Sequence, residues 1–196
     1  MPACFGERER EAVRSAGLSA GLSAVEIINE PTAAAIAYGY GAGTYGRQRI
    51  MVFDLGGGTL DISVMDIAGD EFTAVTSDGD PCLGGRDFDR VLTSVMLERM
   101  ATECGSDPEI LESDSGVMAR MELLSESTRI RLSSTDHARC SVTIGGDQKV
   151  DFGVSRLDLE RASEHLVEEC LRVSDRALSR VAMGADSLDA ILLVGG

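Results

Sequence analysis

The sequence predicts an α/β fold, and two kinds of pattern support this. Short apolar or alternating runs bounded by glycine are typical of strands. Much longer segments carry apolar residues every three to four positions, as amphipathic helices do. Three strand patterns come first and the long helical patterns follow, so we expect a meandering sheet that is then covered by helices.

The first forty residues are predicted to form two helices around a short strand. Residues 7–16 are charged with alanine and valine between, and Gly17 follows as a helix stop. The apolar run 25–28 is predicted to be a strand. Pro31 suits the first turn of the alanine-rich helix that reaches Tyr38, because its missing N–H is not needed there. The end of this helix and a flexible joint are predicted at a group of glycines: Gly39, Gly41, Gly43 and Gly46.

A strand hairpin with a third strand is predicted next. Residues 49–53 are typical of a buried strand, residues 56–58 of a tight glycine turn, and residues 60–65 alternate as the returning strand. Residues 72–75 predict a third strand, which we expect to end at residues 77–81.

Two helices and a second hairpin are predicted in the next part of the chain. Residues 87–103 and 117–132 have helical periodicity. Residues 139–144 and 150–154 alternate around Gly145-Gly146-Asp147, which indicates a hairpin.

A last helix and strand complete the pattern. Residues 155–182 are the longest helical segment, with Ser155 or Asp158 as its cap, and residues 190–194 form an apolar strand that leads into two glycines. Such a strand ordinarily turns into a loop and a helix, so we expect the chain to be a piece of a longer domain. A short protein that ends on a strand is the alternative.

The composition limits the functional classes. The formal net charge of the 196 residues is −15, so no basic stripe for nucleic acid is present. No apolar run approaches the roughly 18 residues that a membrane span needs. The cysteines are odd in number and scattered without a C-x-x-C pair, which argues against a disulfide framework or a zinc site. We expect a cytoplasmic protein with reduced thiols. These cysteines are Cys4, Cys82, Cys104, Cys140 and Cys170.

Residues 54–61 carry the most chemical information. An apolar strand ends at Asp54, and three glycines then allow a tight turn whose successive N–H groups can converge on an anion. Thr59 adds a hydroxyl donor beside this turn. Asp54 is placed to hold Mg²⁺ through water, with the metal bridging to phosphates. The segment therefore predicts a phosphate loop built on a hairpin, although an ordinary glycine-rich turn is the alternative for this stretch alone.

Longer motifs on both sides decide between these interpretations. Residues 27–39 and 79–89, together with the closing residues 193–196, closely resemble the 70-kilodalton heat-shock chaperones in order and spacing. The resemblance covers essentially the whole chain. It implies the actin-like ATPase fold, in which two lobes with ribonuclease-H-like cores hold ATP in the cleft between them.

The resemblance also implies a division of the chain. Residues 1–43 correspond to the end of the first lobe, and residues 44–83 to the first part of the inner subdomain of the second lobe. Residues 84–161 correspond to the outer subdomain, and residues 162–196 return to the inner one and stop at the adenosine loop.

Residue roles follow from the same resemblance. Glu30 corresponds to the glutamate that positions the attacking water, Asp54 to the carboxylate that orients Mg²⁺ and water, and Asp61 to a nearby structural acid. The residues that the resemblance places on ATP or ADP are Gly56, Gly57, Gly58, Thr59 (at the γ-phosphate), Gly84, Gly85, Glu126, Arg129, Ser133, Gly195 and Gly196.

Four positions depart from the family pattern. Arg129 replaces a lysine, which changes the geometry of that cation, and Ile130 replaces an arginine that stacks on adenine in some members. Arg86 replaces an acid, and Cys82 a histidine. The first phosphate loop and the catalytic lysine of the family correspond to positions before Met1. We therefore expect weak or absent ATPase activity in this chain, because phosphoryl transfer needs charge placed around the γ-phosphate.

The favoured function is the ATPase domain of a chaperone, whose lobes open and close to gate a peptide-binding domain that this chain does not include. The resemblance implies J-domain cochaperones and nucleotide-exchange factors as partners, and unfolded polypeptides as clients of the peptide-binding domain. A non-catalytic lobe that binds only nucleotide or cochaperones is the second hypothesis. A sugar kinase or an actin-like filament protein of the same fold is the third.

Overall fold

A computed structural model describes residues 1, 5–39, 46–146 and 148–195. The chain divides into two compact units, each treated by itself below. The first unit comprises Met1–Cys82 with Cys170–Gly196, and the second comprises Leu83–Glu169. The predicted boundary between residues 43 and 44 lies outside the described residues.

Two helices begin the first unit. α1 spans Glu7–Ser19 and α2 spans Glu30–Ala37. The predicted stop at Gly17 is wrong, because α1 continues for two more residues. A Cβ on residue 17 would lie 2.8 Å from a methyl group of Val25, so the glycine allows the following chain to pass close to the helix.

The strand predicted for residues 25–28 is also wrong. That segment has no strand assignment in the structure. Its end is held instead by Met1, whose ammonium group donates to the Ile28 carbonyl at 2.8 Å, while the Met1 carbonyl accepts from the Glu30 N–H at 2.8 Å. Two hydrogen bonds to a single residue do not make a strand ladder.

The sheet of the first unit contains the predicted meander. The strands are β1 (Gln48–Leu55), β2 (Leu60–Ala68), β3 (Glu71–Asp80) and β6 (Ala190–Gly195), in the order β3-β2-β1-β6. β1 is antiparallel to β2 and parallel to β6, and β2 is antiparallel to β3. The prediction that the third strand ends at residues 77–81 is confirmed, since pairing with β2 continues to Asp80, although β3 is longer than the predicted residues 72–75.

One face of this sheet changes from apolar to polar along the strands. Near the start of β1 it carries a buried cluster that α2 covers through Ala34 and Ala35. Cross-strand pairing puts Val52 opposite Ser63, and Asp54 opposite Asp61, on that same face. The apolar cluster comprises Ala35, Ile50, Val52, Met65, Ile67 and Leu192.

The helix α6 (Arg156–Ser179) reaches the first unit in its last turns. Asp78 of β3 accepts hydrogen bonds from Arg176 at 2.6 and 3.1 Å and forms an ion pair with Arg180 at 3.2 Å. The apolar positions Val173 and Ala177 of the same helix are fully buried. These contacts fasten α6 to β3.

The second unit has its own core between helices and a hairpin. Its elements are α3 (Gly85–Cys104), α4 (Pro108–Ser113), α5 (Ser115–Leu132), β4 (His137–Ile144) and β5 (Gln148–Ser155). The predicted hairpin is confirmed, with β4 antiparallel to β5. Met96, Met100 and Met121 of its helices are fully buried.

Helix α4 was not predicted from the sequence. Asp107 caps it by accepting from the Glu109 N–H at 3.0 Å, and Pro108 occupies its first turn. Asp114 then caps α5 through the N–H groups of Gly116 and Val117. At the start of α6, Ser155 and Asp158 form a reciprocal capping box, so both predicted caps act together.

No helix in the described part of the chain has the length and hydropathy that a membrane span requires.

Candidate functional site

The hairpin between β1 and β2 positions the residues with the clearest chemistry. Asp54 is the next-to-last residue of β1, and Thr59 immediately precedes β2. The Gly56 N–H donates to the Thr59 carbonyl at 2.9 Å and closes the turn. This particular amide is therefore engaged within the turn in the structure, which differs from the expectation that the loop amides converge on a ligand.

Two carboxylates oppose each other at the base of this turn. Asp54 and Asp61 are direct partners in the β1–β2 register, and paired residues of antiparallel strands project to the same face. Burial raises the pKa of the Asp54 carboxyl, and the negative charge of Asp61 raises it further. Both effects disfavour the ionised form of Asp54, so a bound cation would relieve the repulsion between the two groups.

Glycines on the neighbouring strands make room for these carboxylates. Gly79 of β3 pairs with Asp61, and a Cβ there would lie 2.6 Å from the Leu60 carbonyl oxygen. Gly195 of β6 pairs with Leu55 and has a φ of +102°. A Cβ at that position would overlap the Leu55 carbonyl and lie 3.0 Å from Oδ1 of Asp54. Neither position accommodates a side chain without displacing backbone.

The opposed carboxylates face a cavity of about 560 Å³ within the first unit. Glu30, the first residue of α2, and Thr59 also line it. Its volume lies in the range of small-molecule sites, roughly 300–1,000 Å³. The structure thus brings together Glu30, Asp54, Thr59 and Asp61, which the sequence had singled out from separate segments.

Asp54 and Asp61 can bind a divalent cation only if other oxygen atoms complete its coordination. Among the described residues, no three histidine, cysteine, aspartate or glutamate side chains are grouped closely enough to hold a metal. Mg²⁺ typically keeps several waters and binds one or two carboxylates together with phosphate oxygens. Asp54 with Asp61 meets that requirement.

The remaining predicted residues of the phosphate and adenosine regions divide between the units. Gly195 lies beside Asp54 as described, and Gly196 lies outside the described residues. Gly84 and Gly85 form the N-cap and first residue of α3 in the second unit. The Gly84 N–H donates to the Asp87 carboxylate at 2.9 Å.

The predicted nucleoside residues lie on α5 of the second unit. Glu126 and Ser133 are exposed, and the Ser133 hydroxyl donates to the Ile130 carbonyl at 2.6 Å. Arg129 is bound by Asp89 of α3, with Nε 2.6 Å from Oδ1 and one Nη 3.4 Å from Oδ2. No local sequence pattern indicates this ion pair, because its two residues are forty positions apart.

Comparison with known proteins assigns the chain to a family. The family model described as Hsp70 protein matches residues 1–196. The chain belongs to the Hsp70 family. This confirms the resemblance that the motifs around Glu30, Asp54 and Gly84 indicated, and it agrees with the mixed α/β architecture of both units.

Individual relatives agree with this assignment. The chain is 37% identical to the chaperone protein DnaK of Mycoplasma mobile, 34% to that of Prochlorococcus marinus and 35% to that of Metamycoplasma hominis. Each match covers 100% of this chain but only 33%, 31% and 33% of the respective relative. This Hsp70-family chain therefore spans about a third of the length of the curated relatives it matches.

Proposed function

We propose that this Hsp70-family chain binds the phosphates of ATP or ADP with Mg²⁺ at the β1–β2 hairpin, as part of the nucleotide-binding domain of a chaperone. The observation that carries the proposal is the opposed pair Asp54 and Asp61 at the base of a glycine turn, inside a cavity that Glu30 and Thr59 share. Two neighbouring carboxylates attract a divalent cation, and that cation in turn attracts phosphate.

The family resemblance supplies the individual roles within this proposal. Asp54 orients Mg²⁺ through water, Glu30 positions the water that attacks the γ-phosphate, and Thr59 donates to that phosphate. Gly56, Gly57 and Gly58 let the backbone approach the phosphates closely. Gly84 and Gly85, with Gly195 and Gly196, contribute further backbone near the nucleotide.

The proposal extends to the longer protein of which such a domain is part. Its lobes, divided along the chain as the resemblance implies, would adopt the actin-like arrangement and change their separation with the bound nucleotide. That change would control a peptide-binding domain for unfolded polypeptides. J-domain cochaperones and nucleotide-exchange factors are the proposed partners, in the cytoplasm.

A non-catalytic lobe is the second candidate function. The small share of each relative that this chain matches supports it. The residues that match this chain make up about a third of each relative. Hydrolysis depends on charges on all sides of the γ-phosphate. We therefore expect nucleotide binding with slow or undetectable turnover from these 196 residues alone.

Calorimetric titration of the chain with ATP, with and without Mg²⁺, tests the proposal. We expect Mg²⁺-dependent binding that Asp54→Asn weakens by at least about tenfold, because one charge-assisted ligand contributes on the order of 1–3 kcal/mol. Asp70→Asn is the matched control, since Asp70 is an exposed carboxylate at the β2–β3 turn of the same sheet. Equal binding with and without Mg²⁺, or equal losses in the two variants, would contradict the assignment of Asp54.

A further inference from the structure

The ion pair between Arg129 and Asp89 fixes a planar cation at the surface of the second unit. Arg129 lies in the last turn of α5, and Asp89 lies in the second turn of α3. The carboxylate binds Nε at 2.6 Å and one Nη at 3.4 Å, so it holds one edge of the guanidinium. The side chains of the two residues retain 28% and 18% of their exposure.

Contact along one edge determines the orientation of the guanidinium plane. A fork of two N–H groups on one carboxylate leaves less freedom of rotation than a single-point contact would. A guanidinium whose edge is held in this way can offer its flat face to an aromatic ring. A lysine at position 129 would have no such face.

The neighbouring residues of α5 define which kind of ring would suit this surface. Residues three and four apart on a helix share a face, which places Glu126, Arg129, Ile130 and Ser133 on one side of α5. Ile130 is 59% exposed. The Ser133 hydroxyl already donates to the Ile130 carbonyl, so its oxygen is available as an acceptor. Glu126 is a second exposed acceptor.

This strip combines acceptors at both ends with an apolar side chain and an oriented flat cation between them. A matching ligand has an aromatic face together with N–H or O–H donors at its edges. The family resemblance places Glu126, Arg129 and Ser133 on a nucleotide, and an aminopurine nucleoside has both features, through its exocyclic amine and its ribose hydroxyls.

We propose that Asp89 is a positioning residue for nucleoside recognition, because its carboxylate orients the Arg129 guanidinium against the base. The inference rests on the proposed nucleotide-binding function and adds to it a residue in α3 that does not itself contact the ligand. If the pair only joined α3 to α5, its loss would lower stability and leave nucleoside affinity in the folded protein unchanged.

Two ligands separate this inference from the proposed function. Adenosine probes only the base and sugar, and magnesium tripolyphosphate probes only the phosphate loop. Each is titrated into the whole chain, the Asp89→Asn variant and the Arg129→Lys variant. Asp151→Asn is the matched control, because it removes one exposed carboxylate of the same unit, paired there with Lys149 at 3.4 Å. Arg129→Lys keeps the charge and removes the flat fork.

We expect Asp89→Asn and Arg129→Lys each to raise the Kd of adenosine about tenfold, with the tripolyphosphate Kd unchanged and Asp151→Asn like the wild type. If Asp89→Asn does not fold by circular dichroism, Arg129→Lys decides. The inference is overturned if the Kd of adenosine is unchanged in the folded variants. It is also overturned if the wild-type chain binds tripolyphosphate but does not bind adenosine. A wild-type chain that binds neither ligand overturns both this inference and the proposed function.

Discussion

The chemistry at the scale of single residues depends on two aspartates that the sheet brings face to face. Asp54 and Asp61 are seven positions apart along the chain and are direct partners across the two strands. The sequence predicted Asp54 as a metal-site residue, Asp61 as a nearby structural acid, and the glycine turn between them. It did not predict Gly79 as the residue opposite Asp61, because that pairing belongs to the third strand and register is not visible in a single strand pattern.

The raised pKa of Asp54 leads to a prediction at this scale. Asp61→Asn removes the second cause of the shift, so the pKa of Asp54 should fall toward its ordinary value of 3.8 while burial, the larger cause, keeps it above that value. Carbon-13 NMR titration of the labelled side-chain carboxyls measures this directly. An unchanged Asp54 pKa would show that the two carboxylates do not interact.

Hydrophobic periodicity predicted the helices and strands where many residues contribute to the pattern. The helices α3, α5 and α6 and both hairpins were found from it, with ends shifted by a few residues. Periodicity failed where a contact between distant parts of the chain determines the local structure. Gly17 lies inside α1, although glycine costs about 1 kcal/mol in a helix. A side chain at this position would contact Val25, so the close approach of residue 25 requires glycine here. Residues 25–28 look like a strand but lack a partner strand among the described residues.

The short helix α4 escaped prediction for a different reason. Its six residues are too few to show a periodic apolar face. The local signal was Asp107 followed by Pro108, a cap followed by a residue suited to the first turn. The capping residues therefore indicate this helix better than its hydrophobic pattern does.

The attachment of α6 to β3 gives a pH prediction at the scale of elements. Hydrogen bonds from Arg176 are the largest cause of the lowered pKa of Asp78. A carboxyl with a lowered folded pKa stabilises the protein fully above its ordinary value of 3.8, and this contribution is lost as the pH falls through the folded value below it.

Asp78→Asn should therefore lower the free energy of unfolding at neutral pH by about 1–3 kcal/mol, and the difference from the wild type should shrink in acid. Urea unfolding from about pH 6 to about pH 2.5 measures this. Asp175→Asn on the exposed side of α6 is the control and should follow the wild type. A difference that does not change with pH would mean that the Asp78 charge is not what holds α6.

At the scale of the whole molecule, the chain contains two units that each bury an apolar core. The negatively charged surface, with a formal net charge of −15, does not attract phosphate by itself. Phosphate binding by such a protein requires a local arrangement of backbone amides and a divalent cation, which offsets the repulsion between the phosphate and the negatively charged protein. We propose that the hairpin of the first unit provides this arrangement.

Paramagnetic NMR tests this central claim most directly. Mn²⁺ replaces Mg²⁺ in a complex with ATP, and the broadening of each backbone amide reports its distance from the metal. We predict that the amides of Gly56, Gly57, Gly58 and Asp54 broaden first, and that Asp54→Asn removes the effect. If those amides stay sharp while amides elsewhere in the chain broaden, the metal and its phosphates bind at another place and the account of the hairpin is wrong.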